Sequence, residues 1–99
     1  MARARMSRDE VAEAMTAVPD WKMAADATAI ARTFTFTNFS EAFAFMTRSA
    51  LTAEKLDHHP DWSNVYKTVE VRLNTHDAGG LTDLDFKLAK KMDAFARKS

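Results

Sequence analysis

The sequence predicts an α+β fold, a two-layer sandwich in which helices cover one face of a four-stranded antiparallel sheet. Segments with helical spacing and segments with strict alternation follow one another in the order α-β-β-α-β-β-α. Within each strand pair the connection is short, which favours antiparallel pairing. The alternating segments are apolar on one side only, so the helices are expected to cover that side.

Composition sets the class of protein. A chain of 99 residues, 46% of them hydrophobic, is expected to form a single domain with one modest core. Fourteen basic residues balance fourteen acidic ones, which argues against a nucleic-acid partner. The absence of cysteine excludes disulfides, thiolate metal sites and cysteine nucleophiles. Since no signal peptide and no run of membrane-spanning length is found, a cytoplasmic protein without a membrane partner is expected.

The first helix is predicted over residues 8–18, after a tail of residues 1–6 that is expected to be flexible. Ser7 and Glu10 have the spacing of a capping box, in which each side chain accepts from the backbone of the other. Apolar residues then recur at helical spacing until Pro19 stops the helix.

Two strands are predicted to follow, a short one over residues 21–23 and a stronger one over residues 29–37. In the stronger strand, threonines alternate with an apolar face made by Ile30, Phe34 and Phe36. Arg32 interrupts that face, so this end of the strand is expected to lie near the edge of the core.

The second helix is predicted to begin after Asn38, which has the spacing of a cap for Glu41. It is expected to end by His58, because Pro60 favours extended backbone in the residue before it. An apolar stripe at steps of three and four residues is expected to face the core: Phe39, Phe43, Met46, Ala50 and Ala53. Phe45 falls off that stripe, which indicates an exposed side chain on a partner surface.

The clearest strand of the chain is predicted over residues 65–73, where apolar and polar residues alternate without a break. A shorter strand at residues 62–63 is expected before it. Thr82 and Asp85 form a third capping box. The helix that follows carries an apolar side made by Leu84, Leu88, Met92 and Phe95.

The chain's three histidines lie at junctions between predicted elements. His58 and His59 follow the second helix, and His76 follows the long strand. If these junctions meet at one end of the sheet, the imidazoles line one concavity together with Asp85. Imidazole can donate or accept a proton near neutral pH. No serine or threonine nucleophile motif and no phosphate-binding glycine loop is present, so the chemistry expected of such a site is proton transfer alone.

On the residues alone, two other interpretations stay open. Three histidines with Glu54 or Asp85 suit a metal ion, but neighbouring residues in extended chain point to opposite sides, and a histidine pair four residues apart on a helix is missing. A His-His-Pro sequence is also an ordinary surface turn, and Trp62 and Tyr66 are more often core or rim residues than substrate contacts.

The segments "AEKLDHHPDWSNVY" and "THDAGGLTDLD" resemble the pterin-4a-carbinolamine dehydratases. The positions that carry the family signature, in order and spacing, are Glu54, His58, His59, Pro60, Tyr66, His76 and Asp85. The resemblance includes Trp21, Phe34 and Phe36 ahead of the second helix and covers nearly the whole chain.

The resemblance implies an activity. Members of the family dehydrate the 4a-hydroxytetrahydropterins that aromatic amino-acid hydroxylases leave behind, and the product is a quinonoid dihydropterin. The reaction protonates the 4a-hydroxyl and removes the N5 proton, so neither a metal nor a cofactor is implied. By this resemblance the catalytic residues are His58, His59 and His76, with His59 and His76 as acid and base and His58 holding the pterin ring. The residues implied to bind or orient are Glu54, Asp85, Pro60 and Trp62.

The resemblance also implies partners. Homodimers or homotetramers are expected, together with a functional link to an aromatic amino-acid hydroxylase. Animal proteins resembling this family also serve as dimerisation cofactors for a homeodomain transcription factor through a helical surface. The alternative function is therefore a protein-binding module or transcriptional coactivator.

Overall fold

The computed structural model describes residues 4–97 and confirms the α+β sandwich and its order of elements. Its helices are α1 (Arg8–Ala14), α2 (Phe39–Leu56) and α3 (Asp83–Arg97). Its strands are β1 (Lys22–Met23), β2 (Ile30–Thr35), β3 (Asp61–Val65) and β4 (Thr68–Leu73). Residues 1–3 of the expected tail lie outside the described residues, and Met6 N donates to Leu81 O at 2.8 Å.

The strands lie in the order β1-β2-β4-β3, and every neighbouring pair is antiparallel. Successive side chains of a strand point to opposite faces, so one face of this sheet is buried and the other is open. The buried face contains Ile30, Phe34, Val69, Val71 and Leu73. The open face carries Ala31, Thr33, Glu70 and Arg72. Within residues 4–97, no helix combines the length and apolar character needed to cross a membrane.

The capping box of α1 is confirmed. Glu10 N donates to Ser7 Oγ at 3.1 Å, and Ser7 N donates to Glu10 Oε1 at 2.8 Å. The α-helix ends at Ala14, four residues earlier than predicted, and continues as a 3-10 turn over Met15–Ala17. Pro19 has no N–H group, so it cannot make the α-helical hydrogen bond to the carbonyl of Met15, and the last turn takes the narrower 3-10 form.

In α2 the predicted cap is confirmed. The predicted core stripe is wrong at Phe39, Phe43 and Ala50, which are exposed, whereas Ala53 is buried as predicted and Met46 packs against the core. Phe45 is 1% exposed, with its ring centroid 4.6 Å from that of Phe34, whereas Phe39 and Phe43 are 48% and 54% exposed. The buried residues of the helix are Ala42, Phe45, Ser49 and Ala53. Small side chains on the inner side let the helix approach its neighbours closely, and the prediction followed the larger side chains instead.

The strands predicted at residues 62–63 and 65–73 are β3 and β4, but the turn between them lies inside the predicted second strand. Val65 ends β3 and pairs with Thr68 of β4, so Tyr66 and Lys67 form a two-residue hairpin turn. Tyr66 has φ 52, in the left-handed region. The residues that flank a two-residue turn pair and share a face, so the inward positions change from even numbers in β3 to odd numbers in β4. Val65 is 76% exposed, and as an apolar residue at an odd number it extended the pattern of β4 and hid the turn.

Half of the predicted capping box of α3 is present. Thr82 N donates to Asp85 Oδ2 at 2.9 Å, but the Thr82 hydroxyl bonds the hydroxyl of Thr75 at 2.8 Å instead of capping the helix. The helix buries Asp85, Phe86, Leu88, Ala89 and Met92. Leu84 and Phe95 of the predicted apolar side are only partly buried.

Arg32 lies at the edge of the core, as expected from its place in β2. Its Nη1 donates to Asp93 Oδ1 at 2.6 Å, and Trp21 Nε1 donates to the same oxygen at 2.8 Å. The guanidinium carbon lies 4.3 Å from the centre of the Phe34 ring. The interruption of the apolar face is therefore compensated by an ion pair and an aromatic contact.

Candidate functional site

The end of α2 turns the chain so that His58 points inward. Asp57 takes a left-handed conformation (φ 52, ψ 43) directly after the last helical residue. His58 N then donates to Ala53 O at 3.0 Å, and Asp57 N donates to Glu54 O at 3.1 Å. This is a Schellman-type helix end, which satisfies the last carbonyls and sets the direction of the next residue.

His58 is a buried histidine paired with a buried carboxylate. The residue is 8% exposed, and its Nε2 lies 2.5 Å from Oδ1 of Asp85, which is 0% exposed. The other oxygen of Asp85 accepts from Thr75 Oγ1 at 2.8 Å and from Thr82 N at 2.9 Å. One carboxylate thus joins the end of α2, the loop after β4 and the start of α3.

His59 points elsewhere and remains in solvent. Its Nε2 lies 2.8 Å from Oε1 of Glu54, one turn back on α2, and both side chains are mostly exposed. Adjacent histidines therefore pair with two different carboxylates, as expected for neighbours in extended chain. Within residues 4–97, no three histidine or carboxylate side chains are grouped as metal ligands.

His76 opens a short 3-10 turn, His76–Ala78, and is exposed. Gly79 closes the turn with φ 72, a conformation that glycine adopts without strain. Thr75 N donates to Gly80 O at 2.7 Å, so the turn is held at its base. Because Thr75 also bonds Asp85, the His76 turn is attached to the His58–Asp85 pair.

The remaining predicted residues are Pro60, Trp62 and Tyr66. Pro60 is partly buried, and Trp62 of β3 pairs with Val71 while packing against the core. Tyr66 lies at the other end of β3, a strand of five residues and so about 16 Å long, and is 60% exposed. The signature tyrosine is thus separated from the histidines of its own chain.

Sequence reasoning missed Thr75, and it assigned Thr82 only a capping role. Both hydroxyls belong to the network around Asp85. The one available signal was position, since Thr75 directly precedes His76 and Thr82 begins the last helix.

A cavity of about 600 Å³ lies away from the histidines, between β2 and the end of α3. Its charged lining includes Arg32, Asp93, Glu41 and Arg97. Arg32 and Asp93 already neutralise each other there. We therefore place the candidate site at the His58–Asp85 pair, where an imidazole meets a buried carboxylate, and not at this cavity.

Three comparisons bear on this geometry. A family model described as pterin 4 alpha carbinolamine dehydratase matches residues 4–95. A protein of Mesorhizobium japonicum, named "Putative pterin-4-alpha-carbinolamine dehydratase", is 62% identical over 95 residues, which are 96% of this chain and 97% of that protein. A crystal structure from Brucella melitensis, described as a transcriptional coactivator/pterin dehydratase, is similar with TM-score 0.90 and 49% identity over 93% of this chain and 98% of that one.

A more distant likeness concerns the fold alone. A pterin dehydratase-like protein described as a RuBisCO assembly factor of the alpha-carboxysome has TM-score 0.67 and 19% identity, over 78% of this chain and 89% of that chain. The same sandwich therefore occurs in a protein described by a different role.

Proposed function

The chain belongs to the pterin-4a-carbinolamine dehydratase family, and we propose that it dehydrates 4a-hydroxytetrahydropterin to quinonoid dihydropterin. The observation that carries the proposal is the His58–Asp85 pair, joined through Thr75 to the turn that bears His76. The proposed role is recycling of the tetrahydropterin cofactor of an aromatic amino-acid hydroxylase, and a cytoplasmic location stays a prediction.

The chemistry needs two proton transfers and no change of oxidation state. An acid protonates the 4a-hydroxyl, the bond from C4a to oxygen breaks, and water leaves. The N5 lone pair forms the C4a–N5 double bond, and a base removes the proton from N5. One proton enters and one leaves, so two imidazoles in opposite protonation states are sufficient.

We assign the two transfers to His59 and His76 and the holding of the pterin ring to His58. Each of the first two residues is exposed, and so open to a substrate, while His58 is fixed by a buried carboxylate. Glu54 and Asp85 each face a ring nitrogen of one histidine and would orient that ring. Pro60 and Trp62 would border the pterin.

The test is a stopped-flow assay in which 4a-hydroxytetrahydropterin, produced by a hydroxylase, decays with and without the protein. Wild type is expected to accelerate the decay by about 10²–10⁴, the usual range of positioned acid–base groups. His59→Ala and His76→Ala are expected to lose most of that acceleration while retaining the circular dichroism of the wild type. Lys87→Ala, on the exposed side of α3, serves as control. No acceleration by wild type would contradict the proposal.

A second candidate function uses the outer surface of α2. Phe39 and Phe43 are half exposed and lie with ring centroids 5.6 Å apart, and Leu51 on the same helix is 69% exposed. Two exposed phenylalanine rings in contact, with an exposed leucine about two turns further along the same helix, favour a protein contact. We infer that a second copy of this chain covers them in a homodimer or homotetramer. The coactivator in the description of the Brucella melitensis structure makes another protein the alternative occupant.

Sedimentation velocity separates these possibilities. Phe43→Asp is expected to lower the mass of the assembly, and Ser40→Asp, also exposed on α2, is the control for added charge. An unchanged mass in Phe43→Asp would dismiss this helix face as the contact between copies.

A further inference from the structure

We propose that Thr75 is a positioning residue that fixes the tautomer of His58 through Asp85. In this arrangement His58 carries its hydrogen on Nε2 and offers Nδ1 as its acceptor nitrogen. The kinetic consequence rests on the proposed function, whereas the tautomer follows from the hydrogen bonds alone.

The first step concerns the donors around Asp85. The residue is 0% exposed, so water cannot satisfy its oxygens and protein groups must do so. Oδ2 faces Thr82 N at 2.9 Å and Thr75 Oγ1 at 2.8 Å, and Oδ1 faces His58 Nε2 at 2.5 Å. A backbone amide can only donate. An ionised carboxylate that accepts from all three groups fits this arrangement.

The second step fixes the direction of the hydroxyl bonds. Thr75 Oγ1 lies 2.8 Å from both Asp85 Oδ2 and Thr82 Oγ1, and it has a single hydrogen to give. If that hydrogen pointed to Thr82, two oxygen lone pairs would face each other at the carboxylate. The hydrogen therefore goes to Asp85, and the Thr82 hydroxyl donates to Thr75.

The third step concerns the imidazole. A neutral histidine carries one ring hydrogen, and the nitrogen without it is an acceptor. Nε2 lies 2.5 Å from a carboxylate oxygen, so the hydrogen belongs on Nε2 and Nδ1 keeps its lone pair. His58 then accepts a hydrogen bond from an N–H or O–H group of the pterin. Removing the Thr75 hydroxyl would leave Oδ2 with one donor fewer and free Asp85 to rotate.

The direct test is NMR of ¹⁵N-labelled histidine in the intact protein, where long-range ¹H–¹⁵N correlations report the tautomer and a His58→Gln variant assigns the signals. Wild type and Thr75→Ser are expected to show His58 as the Nε2–H tautomer. Thr75→Val, which keeps the shape and removes the donor, is expected to show a mixture. An Nδ1–H tautomer in wild type would overturn the proposal, even if Thr75→Val failed to fold. So would an unchanged tautomer in a folded Thr75→Val protein.

The kinetic test uses the dehydration assay. Thr75→Val is expected to lower kcat/KM about tenfold, the effect of losing one hydrogen bond to a charged group, and Thr75→Ser is expected to stay within about twofold of wild type. Thr33→Val, on the open face of the sheet, is the matched control. Wild-type activity with no loss in Thr75→Val would overturn the kinetic consequence. A wild type without activity would contradict the proposed function, while the NMR measurement would still decide the role of Thr75.

Discussion

Asp85 and His58 lie 27 positions apart in the chain, yet Oδ1 of the aspartate is 2.5 Å from Nε2 of the histidine. The contact needs the left-handed residue Asp57, which turns the chain back at the end of α2, and the start of α3, which carries the carboxylate. The fold thus provides a fixed ring at the point where three segments meet.

The first prediction tests the charge of this pair. In Asp85→Asn the amide nitrogen would face either Thr82 N, so that a donor meets a donor, or His58 Nε2, which could accept from it only in the other tautomer. We expect a loss of about 1–3 kcal/mol in the free energy of unfolding, measured in urea, and a fall in dehydration rate of tenfold or more. Asp9→Asn, exposed in the first turn of α1, is the control. Equal losses in both variants would show that the buried contact has no special role.

The second prediction tests the corrected core of α2. Phe45→Ala removes a ring that is 1% exposed and packs between Phe34 and Phe36, with centroids 4.6 and 5.0 Å away. It is expected to lower the free energy of unfolding by about 3–5 kcal/mol. Phe39→Ala, at 48% exposure, is expected to change it far less. Urea denaturation of both variants at one protein concentration gives the two stability losses. A larger loss in Phe39→Ala than in Phe45→Ala would support the core stripe predicted from the sequence.

These cases show what the sequence could predict and what it could not. Capping residues act over three positions, so Ser7 and Asn38 were found from local spacing alone. The phase of α2 was not found, because the choice between Phe43 and Phe45 depends on which side the sheet and α3 occupy. The alternation through Tyr66 also failed to reveal a turn, because Val65 is an apolar residue on the exposed face and extended the pattern of β4 across the turn.

The candidate site divides in the same way. Histidine positions at the ends of elements, and their family resemblance, were visible in the sequence. The hydrogen bond from Thr75 to Asp85 was not, because it joins the loop after β4 to the start of α3 through side chains alone. Such contacts depend on the distance between two folded segments in space, and the spacing of residues along the chain does not give that distance.

The third prediction concerns pH. Hydrogen bonds from the side chain and then the backbone of Thr28 hold the pKa of Asp26 below its ordinary value of 3.8. A depressed folded-state pKa contributes stability above the unfolded-state value, and that contribution is lost as the pH falls through the folded-state value. Thr28→Val is expected to raise the pKa of Asp26, followed by NMR titration of its carboxyl carbon. The stability difference from wild type should be present at neutral pH and shrink in acid. If Asp26 titrates in Thr28→Val as it does in wild type, the hydrogen bonds from Thr28 are not the cause of its lowered pKa.

The last prediction concerns the turn that carries His76. Gly79 has φ 72, and among residues 4–97, its two chain neighbours aside, no heavy atom lies within 4 Å of the place where a Cβ would be. The penalty of a side chain there is therefore conformational and does not come from steric crowding. Gly79→Ala is expected to lower the free energy of unfolding by about 1–2 kcal/mol, since a left-handed alanine is strained. Gly79→Asn is expected to lose less stability, because asparagine tolerates this region of backbone conformation.

If the strain is relieved by moving the turn, His76 is displaced, and the dehydration rate falls more in the alanine variant than in the asparagine variant. Thermal unfolding and the stopped-flow assay on both proteins measure the two effects. Equal stability of Gly79→Ala and wild type would mean that the turn does not need its left-handed residue.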